Sequence, residues 1–194
     1  MRIRYNSPVV LTFTFISSAV LILSQTVSRS LTVQWFMVPG KAAFSASSLR
    51  CWVTLVTHIL GHANWAHLVS NFSFILLIGP ILEETYGSLS LVIMIFITAL
   101  VTGILNVLFF PLGLLGASGV VFMMILLASF TNFNKGEVPL TFILVLILYL
   151  GRELLISFGS SPESNGNISQ FAHVVGGFIG SLFGFFRTAG RQRV

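Results

Sequence analysis

Six polar side chains stand inside otherwise apolar stretches of this sequence. They are His58, His62, His67, Asn71, Ser118 and His173. A polar group at membrane depth is costly unless it is satisfied or used, so these residues are the candidates for chemistry. A histidine within about 3 Å of a serine hydroxyl activates that hydroxyl as a nucleophile. The chain contains no Asp, so a serine–histidine pair here has no aspartate to orient it.

Helix geometry predicts that four of these residues lie at a similar depth. The reference points are three helix ends at one membrane face, Glu83, Asn132 and Arg187. With a rise of ~1.5 Å per residue, Ser118 and His173 each lie ~21 Å from that face. His67 then lies at ~24 Å and Asn71 at ~18 Å. All four fall in one layer, roughly 10 Å below the opposite surface of a ~30 Å hydrocarbon core.

The surroundings of Ser118 favour a nucleophile over a packing residue. The serine opens an apolar segment that is too short to cross a bilayer, and the irregular stretch 111–116 precedes it. The first N–H groups of a helix have no intrahelical partner and carry partial positive charge, which suits an anionic intermediate. Gly116 and Gly119 flank the serine and allow a substrate backbone to approach closely.

Two further patterns predict what surrounds the serine. Small residues recur every fourth position beside His173, at Ala172, Gly176, Gly180 and Gly184. Such a stripe allows helices to pack very closely, so we expect this helix to lie against the one that begins at Ser118. His67 and Asn71 are four residues apart and share a helix face, where two donors can stabilise an oxyanion.

A metal site is the alternative use of the histidines. His58 and His62 are also four residues apart, which is a spacing found in metal-binding helices. The zinc-protease pattern H-E-x-x-H requires Glu directly after the first histidine, where this chain has Ile59. A metal-dependent membrane hydrolase or transporter that uses His58, His62 and His67 therefore stays as an alternative with no evident further ligand.

Composition identifies the elements that must position these residues. Hydrophobic residues make up 55% of the 194 residues and charged residues 8%, with a mean hydropathy of +0.96. A soluble domain carries about a quarter charged residues, so we predict a single all-α, polytopic membrane domain over residues 1–194. Its six predicted spans cover residues 8–27, 62–82, 89–110, 118–131, 139–158 and 172–186. Residues 28–50 are predicted to be a connector in the membrane interface.

The distribution of charge predicts orientation and excludes one class of partner. Basic residues stand at segment ends and do not cluster, so no nucleic-acid partner is expected. Six lie on the side of the two termini: Arg2, Arg4, Lys135, Arg187, Arg191 and Arg193. Four lie on the other: Arg29, Lys41, Arg50 and Arg152. The excess predicts that both termini are cytoplasmic.

Four motifs in order resemble the rhomboid intramembrane serine proteases over nearly the whole chain. The first is HILGHANWAHLVSN at residues 58–71, with its H-x-x-x-N core, and the second is EETYGS at residues 83–88. The third is LGASG at residues 115–119, and the last is AHVVG at residues 172–176. The resemblance implies a six-helix membrane bundle with a water-filled cavity, in which a short central helix starts at the nucleophile.

The resemblance also implies roles for individual residues. Ser118 becomes the nucleophile and His173 the general base, while His67, Asn71, Gly116 and the N–H of Ser118 line the oxyanion hole. Structural support falls to His62, Glu83, Gly87, Gly119, Phe122 and Gly176. Phe122 stands where many relatives have a tyrosine, so ring stacking on the histidine is kept and a hydroxyl hydrogen bond is not.

The implied activity is hydrolysis of a peptide bond in or near a transmembrane helix. Its substrates are single-pass membrane proteins in a cell membrane, surrounded by lipid, and the chemistry requires no cofactor and no metal ion. The second alternative is a non-catalytic relative that binds membrane helices. Such a relative normally lacks the serine or the histidine of the pair, whereas this chain has both Ser118 and His173.

Overall fold

The described part of the protein is built from α-helices joined by short turns. A computed structural model describes residues 5–28, 30–130, 140, 143, 144, 147 and 174–183. Its helices are α1 (Pro8–Thr26), α2 (Ser30–Trp35), α3 (Leu49–Thr57), α4 (Trp65–Tyr86), α5 (Ser88–Phe109), α6 (Ser118–Phe130) and α7 (Val174–Phe183). Turns of 3-10 helix cover Lys41–Ala43 and His58–Leu60. Within these residues the structure agrees with an all-α fold.

Three of the described helices are long and apolar enough to cross a membrane. Helix α1 has 19 residues, and α4 and α5 have 22 each. At ~1.5 Å per residue these lengths match a ~30 Å hydrocarbon core. Within the described residues, helix α6 covers 13 residues.

Helices α1 and α4 run antiparallel, and polar contacts join them at both ends. At one end the Trp65 indole N–H donates to the Gln25 side-chain oxygen at 2.9 Å. At the other end the Glu83 carboxylate accepts from the N–H groups of Val9, at 3.0 Å, and Val10, at 3.2 Å. The structure therefore fixes which ends of these two helices lie at the same face.

The boundaries of α4 differ from the predicted span 62–82. The helix starts at Trp65 because the Asn64 side-chain oxygen accepts a hydrogen bond from the His67 N–H at 2.8 Å, which is an N-cap. It continues to Tyr86 and ends at Gly87, whose φ of 82° and ψ of 151° suit only glycine. The predicted span missed both of these signals, Asn64 and Gly87, because it followed the apolar run alone.

The connector between α1 and α4 contains more helix than predicted. Helices α2 and α3 occupy parts of the stretch that we interpreted as an interfacial connector and as the approach to the second span. Their tryptophans, Trp35 and Trp52, are about half exposed, as is Trp65 at the start of α4. Helix α3 packs on α5, where a methyl group built on Gly103 would lie 2.6 Å from the Leu55 carbonyl oxygen.

Helix α6 is the centre of the described bundle. Side chains 117–127 are all buried, because α4, α5 and α7 pack around this helix. A short central helix that begins at Ser118 was predicted, and the structure agrees. Six spans are not established: positions 140, 143, 144 and 147 of the fifth are helical, and residues 174–183 of the sixth form α7, while the rest of both predicted spans lies outside the described residues.

Candidate active site

Ser118 is the first residue of α6 and is 8% exposed. The preceding connector, residues 110–117, has no regular helix, and its conformation turns the chain from the end of α5 into the bundle. Irregular backbone at membrane depth is tolerated only inside protein or beside a water-filled cavity. The serine thus lies buried at a helix N-terminus, where the first N–H groups have no intrahelical partner.

Gly116 brings the connector against two side chains of α4. Its φ of 115° lies in the region that only glycine adopts readily. A methyl group built on it would lie 2.7 Å from His67 Cε1, 2.8 Å from His67 Nε2 and 3.8 Å from Asn71 Nδ2. The structure therefore gathers His67, Asn71 and the residues just before Ser118, three of the groups that the sequence singled out.

The N–H of Gly116 is already engaged in this arrangement. It donates to the backbone carbonyl of His58 at 2.9 Å. What Gly116 offers the site is therefore the absence of a side chain, which leaves room beside His67. No sequence pattern indicated this role for His58, because its backbone carbonyl and not its imidazole makes the contact.

Asn71 carries a free hydrogen-bond donor. The residue is 7% exposed, and its Nδ2 has no acceptor among the described residues. A buried amide N–H without a partner is costly, and such exceptions call for a functional or solvent explanation. The donor lies close to Gly116 and thus faces the approach to the serine.

His62 supports His67 by packing. The two rings make an edge contact with centroids 5.0 Å apart, and the His62 ring also lies 5.6 Å from that of Phe72. His62 is 1% exposed, and its Nε2 has no partner among the described residues. Its position fits the predicted supporting role, since the buried ring limits where the His67 ring can turn.

Helix α7 packs against α6 backbone to backbone. A methyl group built on Gly176 would lie 2.0 Å from the Gly119 carbonyl oxygen, and one on Gly180 would lie 2.3 Å from that of Met123. Both contacts advance by four residues on each helix, so the two helices run side by side in the same direction. The close packing predicted from the small-residue stripe is present at these two positions; Ala172 and Gly184 lie outside the described residues.

His173 also lies outside the described residues, directly before the first residue of α7. Its distance from Ser118, and the predicted stacking of its ring on Phe122, are therefore not part of the described structure. Phe122 itself is 9% exposed and follows Ser118 by one turn of α6, so the two side chains share one face of that helix.

The remaining predicted support residues lie at the far end of α4. Glu83 is 5% exposed and, besides capping α1, accepts a hydrogen bond from the Ser88 hydroxyl at 2.7 Å. Gly87 forms the sharp turn between α4 and α5. These residues hold three helices together and are ~24 Å along α4 from His67.

The described histidines do not form a metal site. His58 is buried, and its Nδ1 lies 3.1 Å from the Leu55 carbonyl oxygen. Within the part of the chain that the structure describes, no three His, Cys, Asp or Glu side chains come close enough to hold a metal ion. The donor geometry that the metal-dependent alternative needs is thus missing from those residues.

Comparison with known proteins finds a family match over most of the chain. A model of the Rhomboid domain family matches residues 49–189. The chain is 25% identical over 158 residues to Rhomboid-like protein 11, chloroplastic, of Arabidopsis thaliana, covering 75% of this chain and 56% of the relative. It is 23% identical over 133 residues to Rhomboid protease GlpG of Haemophilus influenzae, covering 67% of each. The chain thus spans little more than half the length of the first relative.

Proposed function

Because this chain belongs to the rhomboid family, we propose that it is an intramembrane serine endopeptidase in which Ser118 and His173 form the catalytic dyad. The chain is a multi-pass membrane protein of that family. The proposed substrates are single-pass membrane proteins, cleaved in or near their transmembrane helix. The proposed location is a cell membrane, with both termini on the cytoplasmic side.

The observation that carries the dyad is the contact between Gly119 and Gly176. Ser118 precedes Gly119 by one residue, and His173 precedes Gly176 by three. If α7 extends by one turn at its N-terminus, His173 lies ~4.5 Å from Gly176 along the helix axis, in the N-terminal direction. Ser118 lies ~1.5 Å from Gly119 in the same direction. This backbone contact at nearly the same level supports the proposed dyad, because a proton transfer requires the serine and histidine side chains to lie within hydrogen-bond distance.

The second support is the set of donors beside Gly116. In the proposed mechanism, His67, the Asn71 amide and the N–H of Ser118 bind the oxyanion that develops on the substrate carbonyl. The Asn71 Nδ2 suits this task, since a donor without an acceptor among the described residues loses none of their bonds when the oxyanion forms. Gly116 lines this side without donating, since its N–H binds the His58 carbonyl.

The proposed reaction has two steps. Ser118 Oγ attacks the scissile carbonyl carbon while the His173 imidazole accepts the hydroxyl proton and returns it to the leaving amine as the C–N bond breaks. Water then attacks the acyl-enzyme while His173 accepts a proton from it. His173 returns that proton to Ser118 Oγ as the ester C–O bond breaks, which releases the new carboxyl group and restores the serine. A substrate helix must unwind locally beforehand, because an intact helix keeps its carbonyl groups hydrogen-bonded.

Cleavage of a transmembrane substrate by the purified protein in liposomes tests the proposal. We expect Ser118→Ala and His173→Ala each to lower the cleavage rate by at least about 10³-fold, as loss of a dyad member does in serine proteases. Ser129→Ala is the matched control, because that hydroxyl donates to the Ile125 carbonyl within α6, about three turns beyond the proposed nucleophile. Retained cleavage in either dyad variant would refute the assignment.

A further inference from the structure

The segment after α2 pairs with the connector before α6 as a short antiparallel bridge. The Val38 N–H donates to the Leu114 carbonyl at 2.9 Å, and the Leu114 N–H donates back to the Val38 carbonyl at 3.0 Å. The Lys41 N–H adds a third bond, to the Phe110 carbonyl at 2.8 Å. Two stretches without regular helix thus satisfy each other's backbone groups.

Glycines let the two backbones touch. A methyl group built on Gly40 would lie 1.8 Å from the Pro111 carbonyl oxygen, a backbone atom that no rotation of a side chain can move. One on Gly113 would have more room, since its nearest neighbours, Met37 Sδ and the Val38 carbonyl oxygen, are both at 3.0 Å. Gly40 therefore fixes the distance between the segments much more strictly than Gly113 does.

The same connector is held at two other points. The Asn106 side-chain Nδ2 donates to the Leu112 carbonyl at 3.2 Å, and the His58 carbonyl accepts from the Gly116 N–H at 2.9 Å. With the Val38–Leu114 bridge, the connector is anchored at residues 112, 114 and 116, immediately before Ser118. No regular structure of its own determines its path, so these outside contacts do.

We infer that residues 36–40 form a template that positions the connector, and that Gly40 is a positioning residue for the oxyanion site of the proposed protease. A side chain at Gly40 would push the Pro111 carbonyl away. That shift would be carried along the connector to Gly116 and the Ser118 N–H. Donors must stand within about 0.5 Å of their productive position to stabilise a transition state. The inference rests on the proposed function, because it concerns the geometry of that site.

Labelling with a fluorophosphonate measures this geometry without a protein substrate. The reagent forms a phosphonate ester at an activated serine with loss of fluoride, through an oxyanion-like transition state. For Gly40→Ala we expect the maximal labelling rate constant to fall at least about 10-fold. The reagent concentration at half-maximal rate and the pH profile of labelling stay as in the parent, because reagent contacts and the base are untouched.

Two further variants test whether the labelling rate falls with the severity of the steric clash. Gly113→Ala, whose methyl group has more room, should lie between Gly40→Ala and the parent. Gly177→Ala is the control outside the template, because among the described residues its methyl group would meet just the flexible end of Leu126, at 2.9 Å. We expect it to label at the parental rate.

A cross-link tests the template even if Gly40→Ala does not fold. Hydrogen-bonded antiparallel pairs have Cα atoms ~5.5 Å apart, which a disulfide can span. Val38→Cys with Leu114→Cys, in a Cys51→Ala background, should therefore cross-link on oxidation with diamide. The oxidised protein should label within about twofold of its reduced form, because a template keeps this pairing throughout the reaction.

The outcomes separate the two proposals. A parent protein that is not labelled at Ser118 would refute the proposed function itself. A labelled parent together with parental rate constants in Gly40→Ala would refute only the template. At least about 10-fold slower labelling of the cross-linked form would also refute it, because the paired segments would then have to separate during acylation.

Discussion

Gly176 of α7 lies directly against Gly119 of α6, so closely that a methyl group on Gly176 would come within 2.0 Å of the Gly119 carbonyl oxygen. Among the described residues, a methyl group on the next residue, Gly177, would meet just the end of the Leu126 side chain, at 2.9 Å. Adjacent glycines on one helix thus differ sharply in what they touch, and only the first determines how near α7 comes to the N-terminus of α6.

Gly176→Ala should inactivate the enzyme while Gly177→Ala does not. The extra methyl of the first variant must push α7 away from α6, and a shift of ~1 Å in a catalytic group costs about 100-fold in rate. Overpacking should also destabilise the fold by about 1–3 kcal/mol. Cleavage of a transmembrane substrate and thermal unfolding in detergent measure the two effects. Equal activity of the two variants would contradict the packing argument.

Asn71→Leu should separate activity from stability. Loss of one oxyanion donor lowers the rate by about 10²–10³-fold, whereas thermal stability should be kept because the Asn71 Nδ2 has no hydrogen bond to lose among the described residues. Asn106→Leu is the contrasting variant, since it removes the bond to the Leu112 carbonyl and should lower stability by about 1 kcal/mol. A destabilised but fully active Asn71→Leu protein would remove Asn71 from the oxyanion site.

A comparison of Gly116→Ala with Gly87→Ala tests the contact between Gly116 and His67. Both glycines have positive φ, 115° and 82°, so alanine costs about 1–3 kcal/mol of backbone strain at either position. No described residue lies within 4 Å of a methyl group on Gly87, whereas one on Gly116 would press on the His67 ring. We expect comparable losses of thermal stability, but a loss of cleavage activity only in Gly116→Ala. If the Gly87→Ala protein is inactive at a temperature where it is folded, the loss of activity does not come from the contact with His67.

Glu83→Gln should weaken the fold without altering the site. The carboxylate accepts from two N–H groups of α1 and from the Ser88 hydroxyl, and hydrogen bonds to a charged group each contribute about 1.5–3 kcal/mol. The free energy of unfolding, measured by thermal unfolding, should fall by an amount in this range. The cleavage rate per folded molecule should stay unchanged. Exposed Glu84 is the control, since Glu84→Gln should shift stability by less than about 0.5 kcal/mol.

Apolar runs and the residues that interrupt them predicted much of the described fold. The runs gave α1 and α5 to within one residue at each end, and the small-residue stripe gave the contact of α7 with α6. The start of α6 at Ser118 followed from the broken stretch before it. These features depend on hydrophobicity and residue size, which are local properties of the sequence.

Contacts made by backbone atoms were beyond prediction. The approach of Gly40 to Pro111 and the bond between the Gly116 N–H and the His58 carbonyl join segments far apart in the chain. Neither depends on a distinctive side chain, so only the unexplained glycines at positions 40, 61 and 113 hinted at close approach. The gathering of His67 and Asn71 beside Gly116 was predicted, whereas the placement of His173 stays a prediction.

The capping of α1 by Glu83 has a consequence for biosynthesis. The carboxylate is 74 residues beyond Val9 in the chain, which a ribosome takes roughly 4–15 s to add at ~5–20 residues per second. Throughout that delay the first amides of the new helix need another acceptor, such as water or a lipid headgroup at the bilayer surface, because the hydrocarbon core offers none. The cap that Glu83 provides for α1 is therefore completed only after α4 has been synthesised.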